Sequence, residues 1–156
     1  MNFEIMKFSE LDQTDRKILR IMQTDGRISI TQLSEKVGLS KTPCQMRVKK
    51  LEDYGYIVGY RAVLDPMKMG LGHVTFIEVK MNDTTPKALK AFDDAIRKIP
   101  EIEMCHLIAG GFDYLLKVRT TNIVSYRQIL GEVISSLPYV NSTSTHVSME
   151  AVKDDH

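Results

Sequence analysis

From Leu11 to about Thr24 the apolar positions Ile18, Leu19 and Met22 form one stripe of a helix, with Asp12 or Thr14 as cap and Asp25-Gly26 as its end. Ile30, Leu33 and Val37 mark the buried face of a second helix. At 100° per residue, Cys44, Val48 and Leu51 put a third helix's apolar side toward the same core, and Asp53-Tyr54-Gly55 stops it. Between the last two lies Val37-Gly38-Leu39-Ser40. Gly38 suits a left-handed helix end, Ser40 suits an N-cap, and Pro43 falls in the first turn, where no intrahelical bond is lost. Residues of about 30–49 therefore read as a helix-turn-helix. Tyr56–Leu64 then alternates and is β-branched enough to predict a strand.

Asp65–Gly70, bracketed by Pro66 and Gly70, predicts a linker, taken as 65–71. Beyond it the period changes. The pattern predicts strand His73–Met81, helix Pro86–Ile99, strands Ile102–Ala109 and Phe112–Thr120, helix Ile123–Leu137 and strand Val140–Val152. Pro86 fits a first turn, while Pro100 and Pro138 follow helix ends. This βαββαβ order is ferredoxin-like (ACT-like): an antiparallel sheet with two helices on one face. The class is α+β, with a winged/helix-turn-helix domain over 1–64 and the ferredoxin-like domain over 72–156. The bare sheet face needs a cover, and a second copy of the chain supplies one most economically.

Composition narrows this only a little. A chain with 43% hydrophobic and 26% charged residues is that of an ordinary globular protein, and no apolar run approaches a membrane span. The N-terminal stretch, with acids among its apolar residues and no small-residue cleavage site, does not read as a signal peptide. Cys44 and Cys105 lack CxxC spacing, which suits a reducing cytoplasm without a disulfide framework. Cys44 reads as a small core residue. Cys105 and His106 are neighbours that would face opposite sides of a strand, and His73, His146 and His156 complete no ligand spacing, so no metal is expected. Nor is a cofactor, since nucleophile elbow, phosphate-binding glycine loop and paired-histidine motifs are all missing; an enzyme on this fold ranks low.

Net charge is +1, but its distribution is uneven: residues 1–64 hold 11 Lys/Arg against 8 Asp/Glu, and 65–156 hold 10 against 12. No acid occurs between Ser40 and Leu51. The outer side of the third helix carries Thr42, Gln45, Met46, Lys49 and Lys50, with Arg47 on the flank. From charge alone an ordinary solvated face would be favoured; the turn chemistry, taken together with the family resemblance set out below, points instead to a helix presented to a DNA groove. Gln45 then suits adenine, Arg47 guanine or phosphate, the lysines phosphates, and Thr42 and Met46 a thymine methyl. Ser40 and Lys41 lie at the helix N-terminus, which favours phosphate.

GLSKTPCQMRVKKLE, the connecting GYRAVLDP, then CHLIAGGFDYLLKVRT and the final STHVSMEAV together resemble the Lrp/AsnC (leucine-responsive/asparagine-regulator) family of bacterial transcription regulators, over nearly the whole chain. That resemblance implies an N-terminal DNA-binding domain and a C-terminal domain that dimerises, assembles dimers to octamers, and binds small effectors, usually amino acids, between dimers. Gly110 and Gly111 most simply make a tight hairpin turn with positive φ. Asp113, an acid in an otherwise apolar segment, is left over: exposed backbone N–H groups could take a carboxylate and Asp113 an ammonium, the portion common to free amino acids. Gly111 stands where the family's leucine-responsive pattern carries an acid, which bears on effector identity. His106 is a cavity candidate, and Thr143 and Thr145 offer hydroxyls from the last strand.

The expected function is therefore sequence-specific DNA binding answering to leucine or another apolar amino acid, at genes of amino-acid metabolism. The alternative is an oligomeric amino-acid sensor acting through protein partners without DNA.

Overall fold

The computed structural model describes residues 11–154, and the stretch read for a signal peptide and His156 lie outside them. The described residues divide into two compact units at Ala62/Val63.

The first unit has three helices: α1 (Gln13–Thr24), α2 (Ile30–Val37) and α3 (Lys41–Asp53). Asp12, not Thr14, caps α1, accepting the Asp15 N–H. Ser29 and Gln32 form a capping box at α2, a device the apolar pattern alone does not disclose. Gly38 ends α2 at φ 75°, ψ 35°, as the turn requires. Ser40 occupies the cap position of α3 with extended dihedrals, yet its side chain makes no capping bond, contrary to expectation. Leu11, Ile18, Leu33, Cys44, Val48 and Leu51 form the core, so each helix contributes the face its periodicity marks.

The strand expected over Tyr56–Leu64 is not formed. The Tyr56 and Ile57 N–H groups bond back to the Leu51 carbonyl, and the following residues run without a ladder partner among the described residues. Alternation marks a chain that can be extended; it does not supply the neighbour a strand needs.

In the second unit, residues 65–71 are folded as a turn. The Asp65 carboxylate accepts the Met67 N–H at 2.9 Å, and the Leu71 N–H donates to the Pro66 carbonyl at 2.8 Å. Then come β1 (His73–Met81), α4 (Pro86–Ile96), β2 (Ile102–Leu107), β3 (Tyr114–Thr120), α5 (Ile123–Gln128) and β4 (Val140–Val147). The sheet is antiparallel in the order β2-β3-β1-β4. Ile77, Val79, Tyr114, Leu116 and Val118 point to one face and pack with Phe92, Ile96, Tyr126 and Ile134. The helix expected over Ile123–Leu137 runs without interruption to Ser136, but after Gln128 it widens into a π turn (Ile129–Val133) and tightens into a 3₁₀ turn (Ile134–Ser136), with right-handed dihedrals at both junctions. Gly131 lies in that π turn, where helix propensity is lowest. All strands but β1 are shorter than their apolar runs, because pairing stops where the partner turns away.

The opposite sheet face is not wholly bare. The chain beyond β4 returns so that Asp154 pairs with Lys117 on β3, while Arg119 pairs with Glu103 and donates to the Leu71 carbonyl at 3.2 Å. Arg119 is consequently buried.

Candidate nucleic-acid interface and effector site

Helix α3 is set by its apolar side. With Cys44, Val48 and Leu51 buried, the residues between them turn outward. Thr42, Gln45, Met46 and Lys49 share one outer stripe, flanked by Lys41 and Lys50, and all are exposed, as is Ser40. Met46 is 68% exposed, which leaves an apolar group available within this polar stripe. Lys49 pairs with Asp53 at 3.6 Å, and Lys50 lies 5.8 Å from the Tyr54 ring centroid. Such surface contacts are worth under about 1 kcal/mol and yield readily to a phosphate. The stripe combines a bidentate amide, an apolar contact and point charges, the set a helix needs in a major groove.

Arg47 differs from these. Its Nη1 donates to Asp12 Oδ2 at 2.6 Å and to Asp15 Oδ1 at 2.7 Å, joining α3 to α1. The hydrogen bond from Asp15 N–H to Asp12, together with the Arg47 guanidinium, holds the Asp12 carboxyl below the usual carboxylate range, and the two acids raise Arg47 in turn. Nothing in the sequence signals this grouping, since its members lie 32 and 35 residues apart.

In the second unit the β2–β3 connection runs over Ile108–Asp113. It is not the tight positive-φ hairpin expected: neither Gly110 nor Gly111 has positive φ. The turn is long enough to close with ordinary dihedrals, the Ile108 N–H donating to the Asp113 carbonyl at 2.8 Å. A Cβ at Gly111 would meet nothing within 4 Å, so local sterics would admit the acid of the leucine-responsive pattern there. Asp113 does not stand free. Its N–H donates to the Val79 carbonyl, and its carboxylate accepts the Met81 N–H at 2.7 Å and pairs with Lys80 at 3.3 Å.

The other effector candidates are dispersed. His106 is exposed on the face opposite Cys105, which packs against the helix-covered core. Thr145 faces the helices, its hydroxyl 2.5 Å from that of Tyr126, and Thr143 shares that face opposite Val79. β2 and β4 are the two edges of the sheet, three strand spacings or roughly 14 Å apart. One protomer therefore does not gather His106, Gly110, Gly111, Asp113, Thr143 and Thr145 into one cavity. Among the described residues, no group of three or more His, Cys, Asp or Glu gathers to hold a metal, and no helix is long and apolar enough to cross a membrane.

Residues 74–156 match the model of the Lrp/AsnC ligand binding domain, and residues 11–58 match that of a winged helix-turn-helix DNA-binding domain. The chain belongs to the Lrp/AsnC family. This member is 60% identical to the proline dehydrogenase transcriptional activator of Rhizobium radiobacter, over 95% of each chain. It is 46% identical to the leucine-responsive regulatory protein of Escherichia coli K12, over 94% of this chain and 90% of that one. Among solved structures, a transcriptional regulator of Neisseria meningitidis in complex with L-Met superimposes with a TM-score of 0.88 at 34% identity, over 92% of this chain and 93% of the other. This Lrp/AsnC protein is a DNA-binding transcriptional regulator that responds to an amino acid, and it is not an enzyme. The alternative of a sensor acting without DNA is set aside by the helix-turn-helix match together with the exposed cationic stripe of α3.

Proposed function

We propose that this regulator switches on proline degradation: it binds DNA upstream of a proline dehydrogenase gene and activates it when proline is abundant. The observation that carries this is the identity to a proline dehydrogenase activator, 60% against 46% for a leucine-responsive protein at nearly equal coverage. Glycine at position 111, where local sterics do not require it, accords with an effector other than leucine. The solved relative bound to L-Met supports an apolar amino acid as ligand class.

In this reading residues 1–64 bind DNA, 65–71 connect, and 72–156 hold the effector and assemble the protein in the cytoplasm. Ser40, Lys41, Thr42, Gln45, Met46, Lys49 and Lys50 face the duplex. Dimers present two such helices to the two half-sites of a nearly symmetric operator. Effector residues from β2, the 108–113 connection and β4 come together between copies, which is consistent with their dispersal in one protomer. Proline then shifts the balance between assemblies by binding one more tightly than another.

The test has two arms. Thermal-shift screening of the proteinogenic amino acids should show stabilisation by proline. Anisotropy titration on the upstream duplex should show binding whose log–log salt slope falls by about 0.9 for each of Lys49→Ala and Lys50→Ala. Stabilisation by leucine and not proline would reject the effector. Unchanged slopes in both variants would remove this face of α3 from the duplex.

A further inference from the structure

We infer that Arg47, though it belongs to the DNA-reading helix, is a positioning residue: with Asp12 and Asp15 it locks the angle of α3 against α1 and so sets operator specificity. This rests on α3 being the reading helix and goes beyond it, because it separates one cation of that helix from the rest.

The geometry carries the inference. A single nitrogen of Arg47 sits between two carboxylates, at 2.6 and 2.7 Å. Asp15 is nearly sealed from water, its side chain 5% exposed, and a carboxylate so placed is tolerable only when paired. Asp12 serves twice. Oδ1 caps α1 by accepting the Asp15 N–H at 2.8 Å, while Oδ2 takes Arg47, so the start of α1 and the middle of α3 are fastened through one side chain. The group of two acids and one base carries a local charge of −1. A phosphate approaching Arg47 would meet that net negative charge, and drawing the guanidinium away would strand Asp15. Arg47 is thus unsuited to neutralise DNA, whereas the exposed Lys41, Lys49 and Lys50 are suited to it.

Specificity follows from angle. Bidentate reading of a base tolerates little displacement, while phosphate attraction tolerates a great deal. Loosening the lock should therefore cost specific binding more than nonspecific binding.

The experiment uses the full chain, a duplex enriched by this protein from a random-sequence pool, and a scrambled duplex. Asp12→Asn retains the cap through its Oδ1, since asparagine caps as well as aspartate, and puts an amide NH2 where Oδ2 stood, so both the charge and the acceptor that hold Arg47 are lost. Asp12→Asn and Asp12→Asn/Asp15→Asn should lose about three- to tenfold in affinity for the enriched duplex. Binding to the scrambled duplex should hold or tighten, and salt slopes should stay at the wild-type value. Arg47→Ala should behave likewise, its salt slope unchanged. If Arg47 contacts phosphate, the results invert: releasing it by Asp12→Asn/Asp15→Asn tightens both duplexes, and Arg47→Ala lowers the slope by about 0.9. Either inversion, or equal loss on both duplexes from Asp12→Asn while circular dichroism shows native helix content, overturns the inference. Should the double variant unfold, Asp12→Asn and Arg47→Ala decide. Lys49→Ala and Lys50→Ala run beside them: no change there, with specificity still lost in Asp12→Asn, would fault the assignment of the reading face and not the lock.

Discussion

Asp113 lies where an effector's ammonium group was expected, yet the structure already employs it. Replacing it with alanine leaves the Met81 N–H without its acceptor. Met81 is 5% exposed, so water does not readily substitute, and an unpaired buried donor costs about 1–3 kcal/mol. The accompanying ion pair to Lys80, whose side chain is 46% exposed, contributes under about 1 kcal/mol. Asp113→Ala should therefore destabilise the second unit by roughly 2–3 kcal/mol. Asp113→Asn keeps an acceptor oxygen at the same place and should cost no more than about 1 kcal/mol. Urea unfolding followed by far-ultraviolet circular dichroism measures both, since the chain has no tryptophan to report by fluorescence. Repeating the melts with proline separates a second role. If Asp113→Asn folds normally but loses stabilisation by proline, the side chain both braces β1 and contacts ligand; if the shift persists, bracing is its whole contribution. Equal cost for the two substitutions would show that charge, and not the Met81 hydrogen bond, is what the fold uses.

Other consequences are simpler to check. Gly38→Ala puts a Cβ on a residue at φ 75° and should lower the melting stability of the first unit by about 1 kcal/mol, with open space around it and no clash to confuse the result. Burial pushes the Cys105 thiol up to about 11, with the nearby Asp93 carboxylate adding to the shift. At pH 8 it is almost wholly protonated, and its alkylation by iodoacetamide should be at least tenfold slower than that of a free cysteine. Asp12 is held below the ordinary carboxylate range, so its contribution is complete above the unfolded pKa and fades as pH falls through the folded one. Helix content of the first unit followed by acid titration should decline below pH ~4, and Asp12→Asn should flatten that decline.

Local chemistry made much of this molecule legible in its residues. The helix at Lys41–Asp53, its inward Cys44, Val48 and Leu51, and the left-handed Gly38 follow from period and from one glycine's freedom. So does the order of strands and helices beyond Pro66, because each element's period is written within its own span. Boundaries were less legible, as in the helix beginning at Pro86, expected to reach Ile99 and ending at Ile96, since where an element ends depends on what it packs against.

Sequence alone determined which residues are apolar on which side, hence the helical unit, the antiparallel sheet and the outward cations of α3. Only tertiary structure decided which polar groups are already spoken for. Arg47 and Asp113 look equally available as one reads along the chain; in space one bridges two acids of another helix and the other takes a backbone N–H from β1. The physical reason is that period is a local property, whereas hydrogen-bond satisfaction joins groups some 32 to 35 residues apart.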